Sequence, residues 1–170
     1  SDISTTENKI SYHGKTFQEC SNGSSIAALL KDGSVITWGW GDLGGDSSSV
    51  SSDLQGNVKQ IYSSWRGFAA LKDDGSVVSW GDEGRNNFSF DTVSSQLTSG
   101  VQKVFSSDNA FAALKDDGSV VTWGYDDNIG AYGSDSSSVA SQLSSGVKEI
   151  YSAGHSFAAI KDDGSVVNWG

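Results

Sequence analysis

The chain is poor in positive charge. It holds 11 Lys and Arg against 21 Asp and Glu, a formal net charge of −10, and no cluster of Lys or Arg breaks that pattern. Affinity for a phosphate backbone comes largely from counterions displaced by basic side chains, which this chain cannot supply. Nucleic acid is therefore excluded as a partner, and the excess of Asp reads as a solubility device. Cysteine is nearly absent: Cys20 stands alone, so no intrachain disulfide exists. With no His or Lys beside it, Cys20 reads as a small buried hydrophobe rather than a reactive thiol. Met is missing and the chain starts at Ser1, which suits a processed product or an excised piece with any targeting segment out of view. No apolar run approaches the roughly 20 residues that span a bilayer.

Catalytic groups are equally scarce. The two histidines, His13 and His155, are isolated in sequence and suit solvated or structural roles. The many Ser crowd low-complexity spacers, so no Ser/His/Asp set can be nominated. Gly44-Gly45 belongs to no phosphate-binding loop, since the G-x-x-x-x-G-K pattern is absent. The pairs Asp73-Asp74 and Asp116-Asp117 invite a calcium reading, but they lack D-x-D-x-D spacing and recur at turns. The expectation is a non-enzyme with no catalytic residue, no cofactor and no metal.

What the chain has in abundance is repetition. Ile26 to Gly39 reads IAALLKDGSVITWG, Phe68 to Gly81 FAALKDDGSVVSWG, Phe111 to Gly124 FAALKDDGSVVTWG, and Phe157 to Gly170 FAAIKDDGSVVNWG, with starts 42, 43 and 46 residues apart. Four copies of one unit of roughly 43 residues define a single repeat domain over 1–170. The units run over about 14–56, 57–99, 100–145 and 146–170. Aromatics are 11% of the residues and include six Trp, enough apolar bulk to build a core.

Each unit carries a β-hairpin signature: a short apolar run, Asp-Gly, then a β-branched run ending in Trp. The turns are Asp32-Gly33, Asp74-Gly75, Asp117-Gly118 and Asp163-Gly164. Upstream lies a further strand, at Thr16 to Cys20, Val58 to Ser63, Val101 to Ser106 and Val147 to Ser152. Ser-rich pieces such as Ser47 to Leu54 and Ser136 to Leu143 suit a weak edge strand or an irregular loop. In chain order these are strands A, B, C and D. Strands B and C are apolar on both faces, as in sheets covered on both sides. Paired alanines (Ala69-Ala70, Ala112-Ala113, Ala158-Ala159) let sheets approach, and one Trp per unit fills the wider outer gap. This is the logic of an all-β propeller of four-stranded antiparallel blades. Trp38, Trp80, Trp123 and Trp169 should occupy equivalent buried positions. The ring either closes on itself, with segment 3–12 completing repeat 4, or is half of a larger ring shared with a second chain. A frayed N-terminus is the alternative for segment 3–12.

The motif F/I-A-A-L/I-K-D-D-G-S-V-V-x-W-G resembles the repeats of the regulator of chromosome condensation family, which includes bacterial members such as β-lactamase inhibitory protein II. Trp38 to Asp46, WGWGDLGGD, comes near the family's Gly-Gln-Leu-Gly-like tail, whereas Trp80 to Phe88 and Trp123 to Gly133 drift from it. The resemblance covers residues 14–170. It implies a propeller of about seven four-stranded blades that works by binding another protein. The chain departs from that pattern in having four repeats, and its acidic, Ser-rich spacers look bacterial, so exchange-factor activity is not carried over.

Positions that differ between copies are free for function. In an A-B-C-D blade, loops A–B and C–D emerge at one end and loops B–C and D–A at the other. The B–C loops are nearly uniform and the D–A loops short, so all variable loops fall on one face. That face collects Trp40, Trp65, Arg66, Arg85, Phe88, Phe90, Tyr125 and Tyr132. Trp, Tyr and Arg are the types enriched at interface hot spots. The sequence thus points to a non-catalytic module binding a protein partner through this face, located outside the cell or on its surface. A carbohydrate-binding adhesin or lectin, and a structural repeat of a fibre or larger assembly, are the alternatives. Loops that differ in length and chemistry favour one composite protein site over a glycan pocket in every blade.

Overall fold

The structure is a computed structural model that describes residues 4–6, 9–12, 15–82, 88–126 and 132–170, with side chains from residue 18 onward. It is all-β. Each repeat forms an antiparallel meander: β3 (Lys15–Ser21), β4 (Ser25–Leu29) and β5 (Val35–Gly39) in blade 1; β6 (Val58–Ser64), β7 (Gly67–Lys72) and β8 (Val77–Gly81) in blade 2. Blade 3 holds β9 (Val101–Ser106), β10 (Ala110–Lys115) and β11 (Val120–Gly124), and blade 4 holds β12 (Val147–Ser152), β13 (Phe157–Lys161) and β14 (Val166–Trp169). The blades stack face to face in chain order with their first strands side by side, the arrangement of a propeller.

The hairpin turns differ in detail from a two-residue turn. Gly75 takes φ +78°, while Asp74 is not among the residues with positive φ. The N–H of Gly75 donates to the Lys72 carbonyl at 3.0 Å and that of Lys72 to the Ser76 carbonyl at 2.9 Å. This is a three-residue loop closed by a left-handed glycine. Asp74 serves through its side chain, accepting from the Ser76 N–H at 2.9 Å and the Ser76 hydroxyl at 2.6 Å. The same pair of bonds recurs at Asp32, Asp117 and Asp163.

The first strands carry a further device. Val58 and Ile61 are both buried although three residues apart, a spacing that would put them on opposite faces of a regular strand. A bulge resolves this: Val58 pairs with Lys72 and Gln60 with Leu71, leaving Lys59 without a partner residue. Val101 with Val104, and Val147 with Ile150, follow the same pattern. The extra residue returns both apolar side chains to one face.

The Ser-rich pieces do not form the expected fourth strand. They wind into 3-10 turns at Ser48–Val50, Ser94–Gln96 and Ser137–Val139. Local bonds draw them away from a ladder: Asp46 accepts from the Ser48 N–H at 2.9 Å and Asp135 from the Ser137 N–H at 2.8 Å. Each piece then buries one leucine (Leu54, Leu97, Leu143). The carbonyl of that leucine accepts a single bond from the start of strand C, at Val35, Val77 or Val120. The described blades are therefore three-stranded, blade 1 being extended by two more strands.

Those two strands come from segment 3–12, which was expected beside repeat 4. Its described residues form β1 (Ser4–Thr6) and β2 (Lys9–Tyr12), and β2 pairs with β3 of blade 1 in the register Ile10↔Phe17. Only His13 and Gly14 separate β2 from β3, so local pairing costs far less chain entropy than closing a loop across the whole domain.

The core lies in the seams between blades. In the seam of blades 2 and 3, Ala69, Leu71, Val77 and Leu97 meet Val101, Val104, Phe111, Ala113 and Trp123. The Trp prediction holds at three of its four positions: Trp80, Trp123 and Trp169 are 2%, 0% and 5% exposed, but Trp38 is 44% exposed. Each buried indole rests on the preceding blade and donates its N–H there, to the Gly44 carbonyl, the Ser79 hydroxyl and the Gly133 carbonyl. Among the described residues no blade precedes blade 1, so Trp38 has no such floor.

Candidate binding face

Strand polarity sorts the loops as the repeat pattern implies. Loops A–B and C–D meet at one end: the Asn22 amide donates to the Leu43 carbonyl at 2.7 Å, the Ser25 hydroxyl to the Trp40 carbonyl at 2.7 Å, and the Tyr125 N–H to the Asn109 carbonyl at 2.9 Å. At the other end three of the four Asp-Gly turns lock onto the turn that leads into the next blade. The N–H groups of Val58, Val101 and Val147 donate to the carbonyls of Gly33, Gly75 and Gly118. The uniform end is thus occupied with joining blades.

At the variable end the A–B loops converge on the axis. The Trp65 N–H donates to the Asp108 carbonyl at 2.6 Å and the Asp108 N–H to the Gly154 carbonyl at 2.9 Å, linking blades 2, 3 and 4. They rim a concavity of about 600 Å³ lined by Ser21, Ser63, Ser106 and Ser152, one equivalent position per repeat, with Trp65 and Asp108 at its edge. The concavity is shared by all four blades.

The side chains expected on this face differ in their surroundings. Trp40 and Trp65 stand out, 64% and 58% exposed. Arg66 is held from two sides: its guanidinium carbon lies 3.9 Å from the centre of the Tyr125 ring, and its Nη1 is 3.5 Å from an oxygen of buried Asp82. Arg66 and Tyr125 form one unit across blades 2 and 3. Tyr132 packs on His155, ring centres 5.3 Å apart. Phe88 and Phe90 turn inward. Both are half-buried in the seam of blades 2 and 3, edge-on to Phe111 at 6.3 Å and Trp123 at 5.9 Å. They seal the core because an aromatic in a loop next to an apolar seam gains more by entering it than by facing water. Arg85 lies outside the described residues.

Sequence reasoning passed over His155, Asn109 and Asp82. The Nδ1 of His155 sits 3.1 Å from the Asn109 amide nitrogen, and the ring meets Trp65 edge-on at 6.4 Å. Histidine is the hub that fixes Trp65 and Tyr132. Asn109 stands one repeat, 46 residues, before it, at the equivalent position of the preceding A–B loop. Asp82 takes φ +47° and positions Arg66.

Among the described residues no group of three or more His, Cys, Asp or Glu is placed to hold a metal ion, and no helix is long and apolar enough to cross a membrane. Cys20 lies in the seam of blades 1 and 2, where its thiol donates to the Ile61 carbonyl at 3.3 Å. Burial pushes its pKa up to about 11, so it stays a protonated thiol at neutral pH.

No model of a known protein family matches the chain, and no curated protein sequence does. Solved structures do. The chain is similar to Prp20p of Saccharomyces cerevisiae, at 19% identity and a TM-score of 0.59, covering 95% of this chain and 44% of that one. It is similar to yeast RCC1 (Prp20) in its structure bound to Kap60, at 17% identity and a TM-score of 0.55, covering 94% and 45%. The fold is an RCC1-like β-propeller. The ectodomain of the Arabidopsis thaliana receptor kinase ACR4 is also similar, at 17% identity and a TM-score of 0.52, covering 92% and 50%. The chain spans about half, or less, of each of these structures. Its RCC1-like blades thus carry the variable face as four units of the architecture.

Proposed function

We propose that this propeller is a non-catalytic binding module that recognises a protein partner through its variable-loop face. The observation that carries the reading is the exposure of two indoles at the variable-loop end, Trp40 and Trp65, with Arg66, the neighbour of Trp65 in the chain, already held in place by Tyr125 and Asp82. Large rigid aromatics and a pre-positioned guanidinium lose little conformational entropy on binding, which is what makes them hot spots. The similar Prp20p has binding properties to Gsp1p and histones, and yeast RCC1 is bound by Kap60; neither partner is carried over. A place outside the cell or on its surface belongs to the same reading.

Tagged chain immobilised and exposed to extract of the native source tests the proposal when wild type is run beside Trp65→Ala and Asp116→Asn. A bound protein lost with Trp65→Ala and retained with Asp116→Asn supports it. Equal retention by all three would move binding off this face.

A carbohydrate-binding role is the second reading, favoured by the axial ring of four serines with Trp65 at its edge. A sugar held there would bind once per chain, not once per blade, and titration of a glycan panel reads that stoichiometry.

A further inference from the structure

The charges of this chain are sorted between the two ends of its blades. Lys72, Lys115 and Lys161 close β7, β10 and β13 at the uniform end. Lys59, Lys103 and Lys148 lie near the start of β6, β9 and β12, which begin at that end, and Lys31 stands beside the turn at Asp32-Gly33. Two of these lysines are tied down there: the Nζ of Lys115 and of Lys161 donate to the carbonyls of Gln96 and Gln142, at 2.7 and 2.6 Å. The variable end is the reverse. Among its described residues the basic side chain is Arg66, already paired with Asp82. Asp42, Asp46, Asp108, Asp126 and Asp135 are left on the C–D and A–B loops with no Lys and no second Arg among the described residues of that end.

We propose that the partner's contact surface is basic, and that one of its Lys or Arg side chains enters the axial concavity between Trp65 and Asp108. This rests on the variable-face reading given above and adds the chemical class of the partner. Of the residues that line the concavity, Asp108 alone is charged; the rest are serines, Asn22, Gly23, Ala153 and Trp65. An ammonium or guanidinium group has only N–H donors, so it needs acceptors, and a carboxylate beside hydroxyls supplies them.

Asp108 is fixed for that role by its own backbone. Its N–H donates to the Gly154 carbonyl and its carbonyl accepts from Trp65, so both recognition groups are held on one pair of loops. The carboxylate lies over Gly154, where even a Cβ would come within 3.2 Å of Oδ2; the bare glycine leaves it uncrowded. Trp65, 58% exposed, adds the attraction of an indole ring for a cation. Walls of low dielectric concentrate the field of the one carboxylate within the hollow, and the surrounding Asp residues steer a positive surface toward it.

NMR titration of the full chain tests this with a defined probe: a short disordered Gly-Ser peptide bearing spaced arginines, run beside the same peptide with Gln or with Glu in their place. The expected result is binding of the Arg peptide alone, weakened by added salt, with the Trp65 indole N–H resonance moving. Trp65→Ala and Asp108→Asn, folded by circular dichroism, should each weaken that binding about fivefold or more. Asp116→Asn removes the same charge from the uniform end and should leave it unchanged. Equal weakening by the two Asp variants would mean attraction by net charge alone and overturns the proposal. So does binding of the Gln or Glu peptide as tight as that of the Arg peptide, or binding of none of the three. Should the peptides fail while a captured partner is still lost with Trp65→Ala, the face stands and its basic partner falls; a partner retained by Trp65→Ala removes the face as well.

Discussion

The indole N–H of Trp123 reaches the hydroxyl of Ser79 at 3.0 Å across the seam between blades 2 and 3. Both groups are buried, so the bond satisfies two polar atoms that water cannot reach. The stacked Phe111, ring centres 5.4 Å away, completes a wedge that recurs as Phe68 with Trp80 and Phe157 with Trp169. The fold is held by three such wedges.

Truncating a wedge should therefore be costly in a position-dependent way. Trp123→Ala should lose about 3–5 kcal/mol through cavity formation. Trp38→Ala, measured in dilute solution, should lose under about 1 kcal/mol, because its ring is already half in water. Urea unfolding of the two variants checks this. Equal losses would mean that Trp38 is covered in solution.

Glycine turns offer a second contrast. Gly118 and Gly164 share a left-handed φ, +76° and +83°. A Cβ at Gly118 would fall 2.8 Å from the Gly146 nitrogen, whereas one at Gly164 meets nothing within 4 Å. Gly164→Ala should cost only the backbone strain, about 1 kcal/mol. Gly118→Ala adds a clash with the next blade and should cost clearly more. Thermal unfolding of the pair measures the difference. If the two variants melt together, the turn-to-blade lock does not contribute.

Acid sensitivity follows from the same turns. The carboxyls of Asp74, Asp117 and Asp163 are held below their ordinary 3.8 because the hydroxyl and N–H of the serine two residues on donate to them. A carboxyl with a depressed folded pKa contributes stability that is complete above its unfolded value and is lost as pH falls through the folded value. These turns should then be indifferent to pH near neutrality and weaken only below about pH 4. Carboxyl NMR titration should show Asp74 moving up toward 3.8 in Ser76→Ala. No movement would mean that the hydroxyl bond is absent in solution.

The blades were legible because FAALKDDGSVV and the closing Trp-Gly state strand, turn and two-sided burial in one stretch. The D segments were not, since their serines find bonding partners two residues away and the choice between strand and turn rests on those local bonds. The exposure of Trp38 escaped the sequence for another reason: it is identical in type to three buried residues, and what distinguishes it is that among the described residues no blade lies before its own. Phe88 and Phe90 looked like face residues because loop position says nothing of the direction a side chain takes. Arg66 was legible as a candidate, but its clamp by Tyr125 and Asp82 was not, because those groups lie far from it in sequence and come together only when loops A–B and C–D meet.

Binding through the variable face is tested most directly by calorimetric titration of a captured partner into wild type, Trp65→Ala, Trp40→Ala and Asp116→Asn. Each tryptophan truncation should weaken binding by about 1–3 kcal/mol, roughly five- to 150-fold in Kd, with the fold intact. Asp116→Asn, on the uniform face, should bind like wild type. An affinity that falls with Asp116→Asn and is unmoved by both tryptophan variants would contradict the assignment of the face.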